Sequence, residues 1–252
     1  MKTWDVIKRS TLLLFVQQAM FVLTPLVIVY SAINCWIAVF CIALSIAVVL
    51  VWGIFDIRLA LFVPVINRLK TKEKKVVLTF DDGPSDCTEA ILSTLEQEDI
   101  RAVFFFTGKN AAEHPDIVRR AIQSGHSVGV HTQNHLLKFP FSGLKKVEKE
   151  ISDSIVTLER ITGQKISLFR PPFGVTNPVI AKVIRDLRLS TIGWTVRSLD
   201  TKTKNGEYLL KRISSRMSAG AIILLHDIPV TTGILQDLIA EIRKKGYRFE
   251  KI

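Results

Sequence analysis

Two adjacent carboxylates and two histidines four residues apart carry the clearest chemical signal in the chain. Asp81 and Asp82 stand directly before Gly83-Pro84, and His131 and His135 flank Thr132-Gln133-Asn134. Two acids this close repel as bare anions unless a cation neutralises one of them. A divalent metal would do so and leave the other carboxylate as a base. A helical or turn conformation would aim both imidazoles at one point. One Asp oxygen and two His nitrogens make a facial set of three ligands, with positions left for water and substrate. Such a set suits catalytic Zn²⁺, or Co²⁺, Ni²⁺ or Mn²⁺. The ion would lower the pKa of bound water and polarise a carbonyl oxygen. Amide hydrolysis then needs a base for the water and an acid for the leaving amine, and Asp81 and His226 are the available residues.

Residues so far apart in sequence meet only if the fold collects them. From Val76 onward, short apolar runs alternate with amphipathic segments. Strands are predicted at 76–80, 102–106, 127–130, 166–169, 189–196, 221–225 and 247–252. Helices are predicted at 86–98, 114–124, 144–162, 178–187, 208–217 and 234–245. Asp86 and Glu89 give a D-x-x-E helix start, and Gly163 a helix stop. Buried runs separated by helices predict a parallel α/β sheet or barrel, whose chemistry gathers at the C-terminal strand ends. Asp81-Asp82, His131 to His135, Arg170-Pro171-Pro172-Phe173-Gly174, Trp194 to Asp200, and Leu224-Leu225-His226-Asp227 all fall at such ends.

These stretches, in this order, resemble the polysaccharide deacetylase family (carbohydrate esterase family 4). The resemblance covers Val76 to Ile252 and includes Ala102-Val103-Phe104-Phe105-Phe106. It implies a distorted (β/α) barrel of about seven parallel strands and metal-dependent removal of acetyl groups from sugars. By motif position it implies Asp81 as general base, and Asp82, His131 and His135 as metal ligands. It further implies Arg170 orienting Asp81, His226 as general acid, and Leu224 in the pocket for the acetyl methyl. Two departures stand out. The family's fourth motif commonly reads Asp-x-x-Asp-Trp, its first Asp tuning the catalytic histidine; here it reads Arg197-Ser198-Leu199-Asp200-Thr201. Asp200 is then expected to orient either Arg170 or His226. Arg197 would either lower the pKa of His226 or bind an anionic part of the substrate. In the third motif Phe173 replaces the usual Tyr, which removes a hydroxyl contact.

Ahead of the α/β region lies a different composition. No charged residue occurs between Ser10 and Phe55. These 46 residues are too many for one membrane span of about 20 and too many for a signal peptide. Two transmembrane helices are predicted near 11–30 and 32–55, with the turn at 31–34. The domain plan is a membrane anchor over 1–63, a basic linker over 64–75 and a catalytic domain over 76–252. Lys2, Lys8 and Arg9 precede the apolar stretch, and Arg58, Arg68, Lys70, Lys72, Lys74 and Lys75 follow it. By the positive-inside rule both ends, and the catalytic domain, lie on the cytoplasmic side of the inner membrane. The net charge of +11 divides into +6 over residues 1–75 and +5 over the rest. That bias reads as attraction to membrane lipid, and no basic stripe interleaved with aromatics indicates nucleic acid.

Asp-Gly is common turn chemistry, and an isolated H-x-x-x-H is usually structural; the two together at strand ends outweigh both. His114 and His126 read as helix-terminus residues, Trp194 as core, and Cys35, Cys41 and Cys87 as apolar filler. Three Cys exclude a disulfide scaffold, and 48% hydrophobic residues exclude disorder. The expected partner is an acetylated sugar polymer or a lipid-linked acetamido sugar, with no protein partner indicated. A non-catalytic glycan-binding module on the same barrel is the alternative, and the altered fourth motif is its support.

Overall fold

The computed structural model describes residues 13–24 and 35–252. They divide into two compact units, with the boundary between Ile54 and Phe55. In the first unit, residues 13–24 are helical (α1), and a second helix, α2, runs over Cys35–Phe55 without a charged side chain. Among the described residues no helix is long and apolar enough to cross a membrane, so the predicted pair of transmembrane helices is not supported. The first predicted span lies partly, and the turn at 31–34 wholly, outside the described residues.

The second unit is built on one parallel sheet. Its strands are β1 (Val65–Ile66), β2 (Lys75–Asp81), β3 (Val103–Phe106), β4 (Ser127–Val130), β5 (Leu168–Phe169), β6 (Ser190–Ile192), β7 (Val196–Arg197), β8 (Ala221–His226) and β9 (Arg248–Phe249). They run in the order β1-β6-β5-β4-β3-β2-β8-β7, with β9 also beside β2. Every pairing between strands is parallel. The predicted barrel is thus a curled sheet of nine short strands rather than about seven. Its two edges are tied by the segment between β6 and β7. There Gly193 N–H donates to Ile66 O, and Thr195 N–H donates to Ile222 O. The run expected as a single strand over 189–196 breaks at this bend. A Cβ on Gly193 would sit 2.0 Å from Asn67 Oδ1, so only glycine fits.

Seven helices follow the strands: α3 (Thr88–Gln97), α4 (Gly108–Glu113), α5 (Pro115–Gln123), α6 (Leu144–Thr162), α7 (Pro178–Asp186), α8 (Gly206–Ser214) and α9 (Pro229–Lys244). Gly163 ends α6 in the left-handed region, as its position predicts. The D-x-x-E start at Asp86 is not used. Cys87 is the N-cap of α3 and makes no side-chain cap; instead Ser85 N–H donates to Thr88 Oγ1 at 2.7 Å. The period-2 alternation of β2 sorts its side chains. Val76, Leu78 and Phe80 join the large cluster under the helices, whereas Val77 joins Val103, Phe105, Ile192 and Ile222 inside the curl. Thr79 and Asp81 continue Val77's face toward the C-terminal rim.

Candidate metal centre and active site

Asp81 is the last residue of β2 and stands level with His226, the last residue of β8. Its neighbour Asp82 turns sharply, with φ of 75°, which swings its carboxylate over the rim. Side-chain Nδ2 of Asn110, in the first turns of α4, holds this corner by donating to Asp82 O at 2.9 Å. The histidines sit on the loop after β4, in a turn rather than a helix. Thr132 and His135 both take positive φ (69° and 47°). The loop is pinned from below by Glu150 of α6, which accepts from Asn134 N–H at 2.9 Å and Asn134 Nδ2 at 2.8 Å.

This backbone brings three donors together. Asp82 Oδ1 lies 3.4 Å from His131 Nε2 and 3.4 Å from His135 Nε2. All three ligand atoms lie within 4.8 Å of one another. Nδ1 of His131 is 2.7 Å from the carbonyl oxygen of Arg170. A carbonyl can only accept, so Nδ1 carries the proton and Nε2 presents its lone pair. Asp82 Oδ1 is buried and has no hydrogen-bond partner. A buried anionic oxygen without a donor is costly, and a cation between the two imidazoles would satisfy it. The residues therefore fit a divalent ion. Burial pushes the Asp82 carboxyl up, but His131, His135 and His226 outweigh it and hold the group below the usual carboxylate range. Burial, reinforced by His131, lowers His135, which favours the neutral ligand form.

Asp81 faces a different partner. Arg170, fully buried, donates from Nη1 to Asp81 Oδ1 at 2.7 Å and to Thr79 Oγ1 at 2.7 Å. Its remaining donors go to Ile192 O and Gly193 O, and its guanidinium lies over the Phe105 ring at 4.3 Å. Held at four acceptors and one ring, the guanidinium cannot swing away. Asp81 Oδ2 faces the metal-ligand side, 3.9 Å from His131 Nε2.

The fourth motif corrects one expectation. Asp200, not Arg197, sits against His226: Asp200 Oδ1 accepts from His226 Nδ1 at 2.7 Å, and Oδ2 accepts from His226 N–H at 2.6 Å. Oδ2 also accepts from Thr231 Oγ1 at 2.8 Å. Burial alone would lower the imidazole, but Asp200, helped by Asp81 and Asp82, raises it above its ordinary value. The expected lowering by Arg197 does not occur. Arg197 pairs in register with Leu224, and its exposed guanidinium sits 5.7 Å from the Trp194 ring. Leu224 is buried in β8, two residues before His226 on the same face. Phe173 sets its ring edge-on to His135 at 4.9 Å, so the packing survives without a hydroxyl.

Sequence reasoning missed Asn110 and Glu150. Glu150 had a visible signal, since it interrupts the buried stripe of Val147, Ile151, Ser154 and Leu158 on α6. His126 and His114 are structural as expected. His126 is buried with Nδ1 accepting from Ala102 N–H, and His114 is the N-cap of α5.

Comparison with known proteins gives a consistent picture. The family model described as polysaccharide deacetylase matches residues 68–192. The putative polysaccharide deacetylase YheN of Bacillus subtilis is 35% identical over 198 residues, covering 73% of this chain and 70% of that protein. The peptidoglycan-N-acetylglucosamine deacetylase PgdA of Listeria monocytogenes is 33% identical over 198 residues. That match covers 75% of this chain but only 40% of PgdA. Among solved structures, a mutant of a CE4-family pseudoenzyme of Bacillus anthracis, described as having restored enzymatic activity, superposes with a TM-score of 0.71 at 28% identity. It covers 75% of this chain and 70% of that one.

Proposed function

The chain belongs to the polysaccharide deacetylase family, and from that premise we propose that it is a metal-dependent hydrolase removing N-acetyl groups from an amino sugar of a polysaccharide or glycan. The observation that carries this is the convergence of Asp82, His131 and His135 on one point, beside the Arg170-bound Asp81 and across the rim from His226. A divalent cation held by those three residues would polarise the acetamide carbonyl and acidify the attacking water. Asp81 takes the proton of that water on Oδ2, since Oδ1 is already engaged by Arg170. As the C–N bond breaks, His226 gives a proton from Nε2 to the departing nitrogen, while Asp200 on Nδ1 fixes the tautomer and stabilises the imidazolium. The products are the free amine and acetate. Leu224 is assigned to the acetyl methyl.

Two finer readings extend this. Arg197, exposed at the mouth, is assigned to an anionic substituent of the substrate. The uncharged stretch from Ser10 to Phe55 is assigned to the inner membrane, with the catalytic unit on the cytoplasmic side because Lys and Arg flank that stretch and never interrupt it. A reporter fused after Ile252 reads the side directly; a periplasmic signal overturns it.

The non-catalytic alternative draws on the similarity to a pseudoenzyme. Against it stand the full ligand set and the Asp200–His226 pair, which a glycan binder has no use for. Acetate release from N-acetylglucosamine oligomers separates the two. The expected result is release that stops with chelator and returns with added Zn²⁺. No release under any metal would favour the binder.

A further inference from the structure

The loop that leaves the metal centre carries an unusual surface. Two residues after His135 comes Leu137, which is 80% exposed; Phe141 is 77% exposed and Leu144 39%. Lys138, Lys145 and Lys146 are exposed among them, and no acid occurs between residues 136 and 146. None of the three lysines forms an ion pair among the described residues.

The exposure is built in. Phe139 and Pro140 are buried beneath the loop. Phe139 N–H donates to Leu136 O at 2.9 Å and Phe141 N–H to Lys138 O at 3.1 Å. Asn177 Nδ2 clamps Pro140 O at 2.7 Å. The buried Phe139 thus anchors a turn that presents Leu137 and Phe141 outward on either side. Water solvates such side chains poorly, whereas the boundary of a bilayer accepts apolar tips while its headgroups take the lysines.

We propose that residues 136–146 dock the catalytic unit on an anionic lipid surface, with Leu137, Phe141 and Leu144 entering the headgroup boundary and Lys138, Lys145 and Lys146 meeting lipid phosphates. The charge complementarity selects this occupant over a second protein, because a rim carrying only lysines repels a copy of itself. The docking stands on this loop alone. Its consequence, that the substrate is a glycan presented at the lipid surface, rests on the deacetylase reading.

The test is hydrogen exchange on the full chain in nanodiscs of phosphatidylcholine, in nanodiscs enriched in phosphatidylglycerol, and in detergent. Three lysines at the surface favour the anionic disc by roughly a hundredfold at low salt. Amides of 136–146 are therefore expected to exchange at least about tenfold more slowly there, with the protection lost at high salt. The triple variant Lys138→Glu, Lys145→Glu, Lys146→Glu should lose the protection yet still release acetate from a soluble N-acetylglucosamine oligomer at the normal rate. Equal exchange in all three media overturns the proposal, and equal protection in both kinds of disc overturns its anionic selectivity. Protection in detergent that grows with protein concentration would assign the patch to a second copy instead. Acetate release in the same samples reports on the deacetylase reading separately.

Discussion

Replacing Asp200 by Asn keeps the shape of the residue and removes its charge. In the native site both carboxylate oxygens are full: Oδ1 accepts from His226 Nδ1 and Thr201 N–H, and Oδ2 from His226 N–H and Thr231 Oγ1. An amide group must turn its NH₂ toward one of these pairs, and a backbone N–H then faces another donor. The charge-assisted bond to the imidazole is lost in either orientation, and such a bond contributes about 1.5–3 kcal/mol. Asp200 is what raises His226 against its own burial, so the variant's imidazolium deprotonates at lower pH. A general acid works only while protonated, so the alkaline limb of the pH profile must move toward lower pH. At 1.36 kcal/mol per tenfold, the rate above neutral pH falls by roughly 10–100-fold, with a smaller loss on the acid side. The assay is kcat/KM for acetate release across pH, with the His226 ring followed by NMR titration. An alkaline limb that stays in place, in a variant that remains folded and metal-loaded, would refute the assignment of His226 as the acid.

Arg170→Met leaves Asp81 buried without its cation and should lower stability by about 3–5 kcal/mol in urea unfolding, with deacetylation lost. His126 carries a pH signature of its own. Burial, helped by Arg101, lowers it to about 4, so the unfolded chain takes up a proton near 6.5 that the folded chain refuses. The stability is complete above that pH and falls by about 3 kcal/mol as pH drops from 6.5 toward 4. In His126→Asn, whose carbonyl oxygen can still accept from Ala102 N–H, this part of the slope should disappear, as melting curves against pH would show.

The catalytic constellation was legible because parallel α/β sheets put chemistry at one rim. Asp81, His131, Arg170 and His226 each follow a recognisable apolar run, and the structure brings them together with Asp82 and His135. Where the signal failed, the elements were short or irregular. Asp200 follows a two-residue strand and a left-handed Leu199 (φ 63°), so nothing local showed whether it would reach Arg170 or His226. α4 is six residues long and begins at a glycine, too brief for a periodic pattern, though Thr107 caps it by accepting from Asn110 N–H. β1 has two residues inside a basic stretch that reads as linker. α9 starts at Pro229, five residues before the prediction, because Val230, Thr231, Thr232 and Gly233 are poor helix formers. The proline itself was the missed start signal.

Deacetylation at this site requires a free carboxylate working beside a chelated ion, and Asp81→Asn separates the two. Metal content and acetate release measured on one preparation of that variant test this requirement most directly. One divalent ion per chain and turnover at the background rate are expected. Acetate release at the normal rate would contradict the requirement.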